Sequence, residues 1–223
     1  MLWCTGCYEV GNTIFHLLGG DSHKYYSFVH KYYGMDIYEI EVYTSGVCLE
    51  FILSEENLIA EAFPLCCDAH DYNESLADKH RTLSEKYGDT NHGNYWSGKD
   101  LGFGNYALAD SFVDIDIVSD AEYDDEHPAG TSLADIVRVS FRTFYPFVSG
   151  ETKHASSEEV YKFVAELTFE DLTLVEVGDD TFAFHFETPP LSAQQHNFTI
   201  IFTSDEGNVY RYSCSVDFEQ PNS

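Results

Sequence analysis

Residues 112–137 read FVDIDIVSDAEYDDEHPAGTSLADIV, and this stretch decides the fold. In its first part, Val113, Ile115 and Ile117 alternate with two aspartates. Because successive side chains of a β-strand point to opposite faces, this segment presents one apolar face and one charged face. That alternation is typical of an antiparallel strand with one face buried. The stretch therefore predicts a sheet that packs its apolar face against a core.

An acidic loop follows the strand and contains Asp120, Glu122 and Asp124. Hard cations such as Ca²⁺ take several carboxylate oxygens from one loop, so a calcium site is one interpretation. The spacing departs from the helix-loop-helix calcium motif, because its sixth position is Asp125 rather than Gly and its twelfth is Thr131 rather than Glu. The alternative is a solvated loop, and no cofactor is then expected.

A turn ends this loop at residues 127–130, which read HPAG. Gly130 is expected to adopt a positive φ, a conformation that glycine reaches without a steric penalty. Thr131 or Ser132 is then placed to cap a helical turn with Asp135 three or four residues further on.

The composition limits the classes of function. The chain has 223 residues, with 39 acidic and 11 basic side chains and a net charge of −28. This charge argues against nucleic acid and against direct binding to an anionic membrane, because phosphate contacts need clustered Lys and Arg. Aromatic residues make up 16% of the chain and supply buried area, so the acidity indicates a charged surface around a core rather than disorder.

Alternating segments and turn residues recur along the chain and suggest about eight or nine strands. One short helix is predicted over Leu76–Tyr87, ending at Gly88, and a helical turn or two is predicted over residues 156–167. The predicted hairpins join residues 36–43 to 47–53, residues 172–177 to 181–186, and residues 198–202 to 210–218.

We therefore predict an all-β fold, an antiparallel immunoglobulin-like β-sandwich with one or two short helices. Residues 1–35 are interpreted as a tether with an irregular strand, and residues 36–220 as one sandwich domain. A polar excursion is expected within that domain at about residues 68–104.

Within this excursion, Tyr95, Trp96 and Phe103 lie in a glycine-rich segment. Aromatic rings in such a loop stack on sugars, which makes these three residues the candidate ligand contacts. The alternative is that the rings fold back onto the edge of the sandwich.

Three motifs in a fixed order carry a resemblance to a known family. They are the strand and loop of residues 113–117 and 124–133, then FETPP at 186–190, then HNFTII at 196–201 with DEG at 205–207. Over residues 105–220 the chain resembles a family of lipoproteins from Bacteroidetes-type Gram-negative bacteria, known only as a domain of unknown function. The resemblance implies a lipid-anchored, exported β-sandwich without an assigned activity, located in the outer membrane or periplasm.

The resemblance makes Cys7 the lipid attachment site, since Thr5-Gly6-Cys7 matches the end of a lipoprotein signal. The match is incomplete because position 4 is Cys, where Leu is usual, and no basic start or apolar run precedes it. Either the true start lies upstream, or Cys7 is an ordinary thiol.

Export would also place the remaining cysteines in an oxidising compartment. Adjacent Cys66 and Cys67 rarely pair with each other, so Cys48 and Cys214 are their expected partners, and three connectivities are open.

No catalytic residue can be assigned, since the sequence has neither a G-x-S-x-G nor an H-E-x-x-H motif. The favoured function is a non-catalytic envelope protein that binds an unidentified protein or glycan, with membrane contact only through the lipid anchor. The alternative is a glycan-binding or glycan-processing protein that uses Tyr95, Trp96 and Phe103.

Overall fold

The computed structural model describes residues 27–43, 48–54, 56–62, 73–90, 92, 105–178, 181–191 and 195–218. These residues form eleven strands: β1 Lys31–Tyr33, β2 Ile37–Tyr43, β3 Cys48–Leu53, β4 Leu58–Glu61, β5 Tyr106–Leu108, β6 Phe112–Ser119, β7 Val137–Thr143, β8 Glu158–Phe163, β9 Phe182–Phe186, β10 Gln195–Ser204 and β11 Val209–Asp217. They also form two helices, α1 Glu74–Tyr87 and α2 Tyr145–Val148, and a 3₁₀ turn, Val164–Glu166. Neither described helix is both long and apolar enough to cross a bilayer.

Two antiparallel sheets face each other and enclose the larger core. One has the strand order β2-β3-β9-β7-β8 and the other the order β11-β10-β6. Their inner faces meet through aromatic rings, with centroids 5.2 Å apart for Phe182 and Phe202 and 4.7 Å apart for Phe186 and Phe198. The predicted all-β sandwich is confirmed, while a specifically immunoglobulin-like arrangement stays a prediction.

A third, smaller sheet has the order β4-β1-β5, in which β1 and β5 are parallel. Together with α1 and α2 it encloses a second core. This core contains Phe28, Val29, Tyr32, Ala60, Ala107, Phe144, Phe147, Val148 and Leu174.

For β6, the predicted alternation of buried and exposed side chains is correct at Ile115 and Ile117, which are buried. It is wrong at Val113, which is 54% exposed. Phe112 is buried in its place. The pairing explains the difference, because Thr203 lies opposite Asp114 while the next residue of β10 lies opposite Phe112. Val113 is therefore the extra residue of a β-bulge, which moves its side chain to the outer face.

The first and last predicted hairpins are confirmed by the β2–β3 and β10–β11 ladders. The predicted helix is confirmed as well and begins two residues earlier than expected. Asn73 caps its start by accepting hydrogen bonds from two backbone N–H groups, and Gly88 ends it with a φ of 73°. These are the caps that polar and glycine residues favour.

The helical turn predicted over residues 156–167 is wrong for most of that range. Glu158–Phe163 forms β8, and only Val164–Glu166 turns as a 3₁₀ helix. The apolar spacing of Val160, Phe163 and Val164 suits a helix, but pairing with β7 keeps the segment extended. Tertiary pairing thus overrides a weak local preference.

The hairpin predicted for residues 172–177 and 181–186 is also wrong in its first half. Leu174 has a φ of 53°, which interrupts an extended strand, and the segment makes only isolated bridges to Ala107 and Thr143. The second half forms β9, which pairs with β3 and β7 instead.

The turn after the acidic loop is confirmed in its key features. Gly130 has a φ of 80°, and the hydroxyl of Ser132 accepts a hydrogen bond from the N–H of Ala134 at 3.2 Å. The carboxylate of Asp135 accepts a hydrogen bond from the ring of His127 at 3.1 Å and thereby holds the acidic loop.

Candidate functional site

A concave surface lies along the outer edge of β8. This strand is the last of the five-stranded sheet and pairs with β7 alone. Val160 pairs with Phe141 of β7, and its side chain faces the core. The next residue, Tyr161, points away from the core and is 52% exposed. The outer backbone edge of β8 has no strand beside it in the described part of the chain.

A groove of about 550 Å³ runs beside this edge. Its size falls within the roughly 300–1,000 Å³ that is usual for ligand sites. The groove is lined by Thr143, Tyr145, Pro146, Glu151, Glu158, Glu159, Val160, Tyr161, Lys162, Glu170 and Asp171. These residues come from three segments: the end of β7 through α2 to Glu151, the strand β8, and the turn that follows the 3₁₀ helix.

Local hydrogen bonds fix one of these turns. The carboxylate of Asp171 accepts hydrogen bonds from the N–H and the hydroxyl of Thr168, both at 2.9 Å. It also accepts from the Lys162 ammonium at 2.7 Å. Burial by itself would raise the pKa of Asp171, but the bonds to Lys162 and Thr168 outweigh it and lower that pKa. The turn is therefore held to β8 by an ionised carboxylate.

The opposite end of β8 is held by Arg142 of β7. Its guanidinium donates to the carbonyl of Ser157 at 2.7 Å and to the hydroxyl of the same residue at 2.8 Å. The residue just before β8 is thus fixed to the sheet, and the edge is presented as a straight, anchored strand.

The electrostatic character of the groove is strongly negative. Five of its lining residues carry carboxyl groups: Glu151, Glu158, Glu159, Glu170 and Asp171. Lys162 is the one cation among the described lining residues, and its ammonium is already bound to Asp171. A groove with this lining attracts positively charged groups and repels anions.

Serine and histidine side chains also meet, but at buried positions. The Ser119 hydroxyl and Nδ1 of His196 lie 2.7 Å apart, and the two residues are 2% and 0% exposed. Burial lowers the pKa of His196. A second contact joins Ser27 to His80 at 3.4 Å, and both of these residues are buried. Neither pair is at the surface. The Ser119–His196 contact lies within the sandwich, and the Ser27–His80 contact lies beside the smaller core.

The predicted calcium ligands Asp120, Glu122 and Asp124 lie on the loop after β6. The carboxylate of Asp120 accepts from the backbone N–H of Asn197 at 2.8 Å, and that of Asp124 accepts from His127 at 2.7 Å. In the described residues, no group of three or more His, Cys, Asp or Glu side chains is arranged to hold a metal ion. The bonds that are present tie the loop to β10 and to the following turn.

The predicted ligand contacts Tyr95, Trp96 and Phe103 and the lipid attachment site Cys7 lie outside the described residues. The same holds for Cys66 and Cys67. Of their expected partners, Cys214 carries a half-buried thiol on β11, and burial raises its pKa to about 11. Cys48 lies at the start of β3, opposite Tyr43.

The β8 groove has no signature in the local sequence pattern. Glu158 and Glu159 fit a helix cap in sequence, although Val160, Tyr161 and Phe163 are residues that favour strands. That preference was a local signal for a strand, but no local signal places the strand at an edge.

Comparisons with protein-family models, with curated proteins and with solved structures find no match for this chain. The function is therefore argued from the geometry and the sequence.

Proposed function

We propose that this chain is a non-catalytic binding module that holds its ligand in the groove beside β8. The observation that carries the proposal is the combination of an anchored edge strand with an acidic groove of about 550 Å³. Ligand sites are generally preformed concave surfaces with a few convergent polar groups. This groove is concave and carries several polar groups, and hydrogen bonds from Arg142 and Lys162 anchor the segments at the two ends of β8.

Binding is favoured over catalysis because the serine and histidine pairs are buried. A nucleophile must reach its substrate, and the Ser119 hydroxyl is bound to His196 within the sandwich core, beside Tyr123. Four carboxylates of the groove, those of Glu151, Glu158, Glu159 and Glu170, are instead exposed, so their charge can act on a ligand.

For the cellular address, we propose an exported, lipid-anchored envelope protein with Cys7 as the acylated residue. The support is the Thr5-Gly6-Cys7 motif and the family resemblance of residues 105–220. A net charge of −28 does not hold the protein on an anionic surface, so retention would depend on acyl chains. Each buried CH₂ of such a chain contributes about 0.8 kcal/mol.

The address is tested by expressing the full-length gene and fractionating the cells. We expect a membrane-associated product with lipid on Cys7 in mass spectrometry, and a Cys7→Ala variant without the modification. An unmodified Cys7 in the cytosolic fraction would rule out the lipoprotein assignment, whatever the groove binds.

Ligand binding is tested by recording amide NMR spectra of the purified chain against panels of peptides and glycans. We expect at least one ligand class to shift the amides of Glu158–Phe163 before those of β11. The matched variants are Glu158→Gln/Glu159→Gln/Glu170→Gln in the groove and Glu56→Gln/Glu74→Gln/Glu126→Gln at exposed positions elsewhere. Only the first should weaken binding, and a panel that leaves β8 unshifted would contradict the proposal.

A further inference from the structure

We infer that the β8 groove binds an extended, lysine- or arginine-rich protein segment by adding it to the sheet as a sixth strand. This inference rests on the proposed binding function and names the chemistry of the ligand.

The outer edge of β8 has no neighbouring strand among the described residues. A strand at the end of a sheet presents a row of unpaired N–H and C=O groups, which is a template for another extended chain. The edge strand β6, by contrast, has part of its outer edge occupied, because the N–H of Leu133 donates to the carbonyl of Ile117 at 2.8 Å. At the opposite edge of the same sheet, the side-chain hydroxyl of Tyr212 on β11 donates to the carbonyl of Met35, just before β2, at 2.8 Å. The edge of β8 opens into the groove instead.

The length of the strand sets the length of the ligand. β8 has six residues, and a strand rises about 3.3 Å per residue, so its edge is about 20 Å long. A partner segment of about six residues would pair along all of it.

The negative charge of the groove lining favours extended segments that carry positive side chains. Five carboxylates face one ammonium, and Lys162 is already neutralised by Asp171 at 2.7 Å. A neutral or acidic strand would leave the other four carboxylates uncompensated, whereas Lys or Arg side chains would pair with them. The same charge disfavours a second copy of this chain, whose net charge is also −28.

The alternation along β8 then suggests a pattern for the partner. Glu158, Val160 and Lys162 share one face of the strand, and Glu159, Tyr161 and Phe163 share the other, on which the Tyr161 ring is exposed. Side chains from both faces line the groove, and each face carries one glutamate. Because side chains of adjacent strands stand beside each other on the same face, a partner of alternating basic and apolar residues places its basic side chains beside Glu158 or Glu159 and its apolar side chains beside Tyr161 or Val160.

The test uses an end-capped octapeptide of alternating lysine and valine, with its affinity measured by calorimetry at low and at physiological salt. We expect binding that shifts the amides of β8. The Glu151→Gln/Glu159→Gln/Glu170→Gln variant should bind about tenfold more weakly, since each exposed charge contributes a few tenths to about 1 kcal/mol. The Glu56→Gln/Glu74→Gln/Glu126→Gln variant should bind like the unaltered chain, and circular dichroism should confirm that both variants are folded.

A second peptide separates strand addition from attraction by charge alone. It carries the same side chains but is methylated at successive central backbone nitrogens, which removes hydrogen-bond donors from both of its edges. Strand addition predicts a loss of about tenfold or more in affinity, because each lost hydrogen bond contributes about 0.5–1.5 kcal/mol. Equal binding of the two peptides would overturn the inference.

Two further outcomes are distinguishable. If neither peptide binds while a glycan or another ligand shifts β8, the inference fails and the proposed binding function stands. If the free chain is a dimer in light scattering and its β8 amides are protected from exchange, a second copy occupies the edge and the inference is overturned.

Discussion

The two cores of this molecule are built from different chemistry. The sandwich core is predominantly apolar, and the buried Ser119–His196 pair is an exception. Aromatic rings from both sheets are in contact there: Phe51, Phe182, Phe184, Phe186, Phe198 and Phe202. The smaller core, between α1 and the sheet β4-β1-β5, contains buried polar groups among its aromatic residues. The first core is stabilised mainly by the burial of apolar surface, and the second also depends on specific hydrogen bonds.

Asp89 is the central polar group of the smaller core and is 0% exposed. Gly88 ends α1 in a left-handed conformation, and the next residue then directs its carboxylate inward. That carboxylate accepts the backbone N–H groups of Phe28 and Val29 at 2.7 and 2.9 Å. Nε2 of His80 on α1 donates to the carbonyl of Val29 at 2.9 Å. Two side chains from the helical segment thereby fix the strand entry at residues 28–29.

This difference has a physical consequence. Apolar contacts are non-directional, so a core built from them tolerates small shifts and is insensitive to protonation. A buried carboxylate must keep its acceptors filled, because an unsatisfied buried group is costly. An introduced charge should therefore destabilise the sandwich most, whereas removal of a hydrogen bond should destabilise the smaller core most.

The largest expected effect is that of Ile115→Asp in the sandwich. Ile115 is 3% exposed, and an unpaired carboxylate there costs several kcal/mol, comparable with the roughly 5–15 kcal/mol total stability of a domain. Denaturant unfolding should show an unfolded or strongly destabilised protein. Val113→Asp on the same strand is the matched control and should change the free energy of unfolding by less than about 0.5 kcal/mol, because Val113 lies on the bulge. Equal effects of the two variants would contradict the bulge.

The next effect is that of Asp89→Ala in the smaller core. It leaves two buried N–H groups without acceptors, and each such group costs about 1–3 kcal/mol. We expect a loss of about 2–4 kcal/mol in the free energy of unfolding, with a smaller loss for Asp89→Asn, which keeps one acceptor oxygen. Asp125→Ala, at an exposed carboxylate, serves as the control. A small effect of Asp89→Ala would show that these hydrogen bonds do not stabilise the second core.

A smaller effect is expected for Gly130→Val at the turn beside the sandwich. The φ of Gly130 is 80°, which a β-branched residue adopts at a cost of about 1–3 kcal/mol. No atom would clash with a Cβ there, so the cost arises from backbone conformation alone. Gly178→Val is the control because Gly178 has an ordinary φ and equally open surroundings. Thermal melts of the two variants should differ, and matching melting temperatures would refute this account of the turn.

The smallest effect concerns pH, and it has opposite signs in the two regions. Burial lowers the pKa of His80 in the smaller core. For His127, in the loop beside the sandwich, burial acts in the same direction, but its bonds to Asp124 and Asp135 prevail and raise the pKa. A lowered pKa means that His80 stabilises the fold above about pH 6.5 and loses that contribution as the pH falls. A raised pKa means that His127 contributes fully below about pH 6.5 and loses its contribution as the pH rises.

NMR titration of the two imidazoles measures this difference. We expect His80 to titrate below and His127 above the ordinary value for histidine. Replacing His127 with Gln should lower the free energy of unfolding below about pH 6.5 and remove the loss that His127 causes as the pH rises. Titration of both rings at the same pH would contradict the contrast.

The local pattern of the sequence was sufficient for the class of fold and for several elements. Alternation of apolar and polar residues predicted β2, β3, β10 and β11, and glycine at position 88 predicted the end of α1. These features depend on residues a few positions apart, so they can be recognised without knowing what lies next to them.

The candidate site was decided only by the tertiary structure. Glu158–Phe163 becomes a strand because β7 pairs with it, and it becomes an edge because no described strand lies beyond it. The groove needs residues from three separate segments, including Glu151 and Glu170. Likewise, the pairing of Asp89 with Phe28 joins positions 61 residues apart. Contacts between residues so distant in the chain are set by which elements pack together, and a local pattern carries no information about that choice.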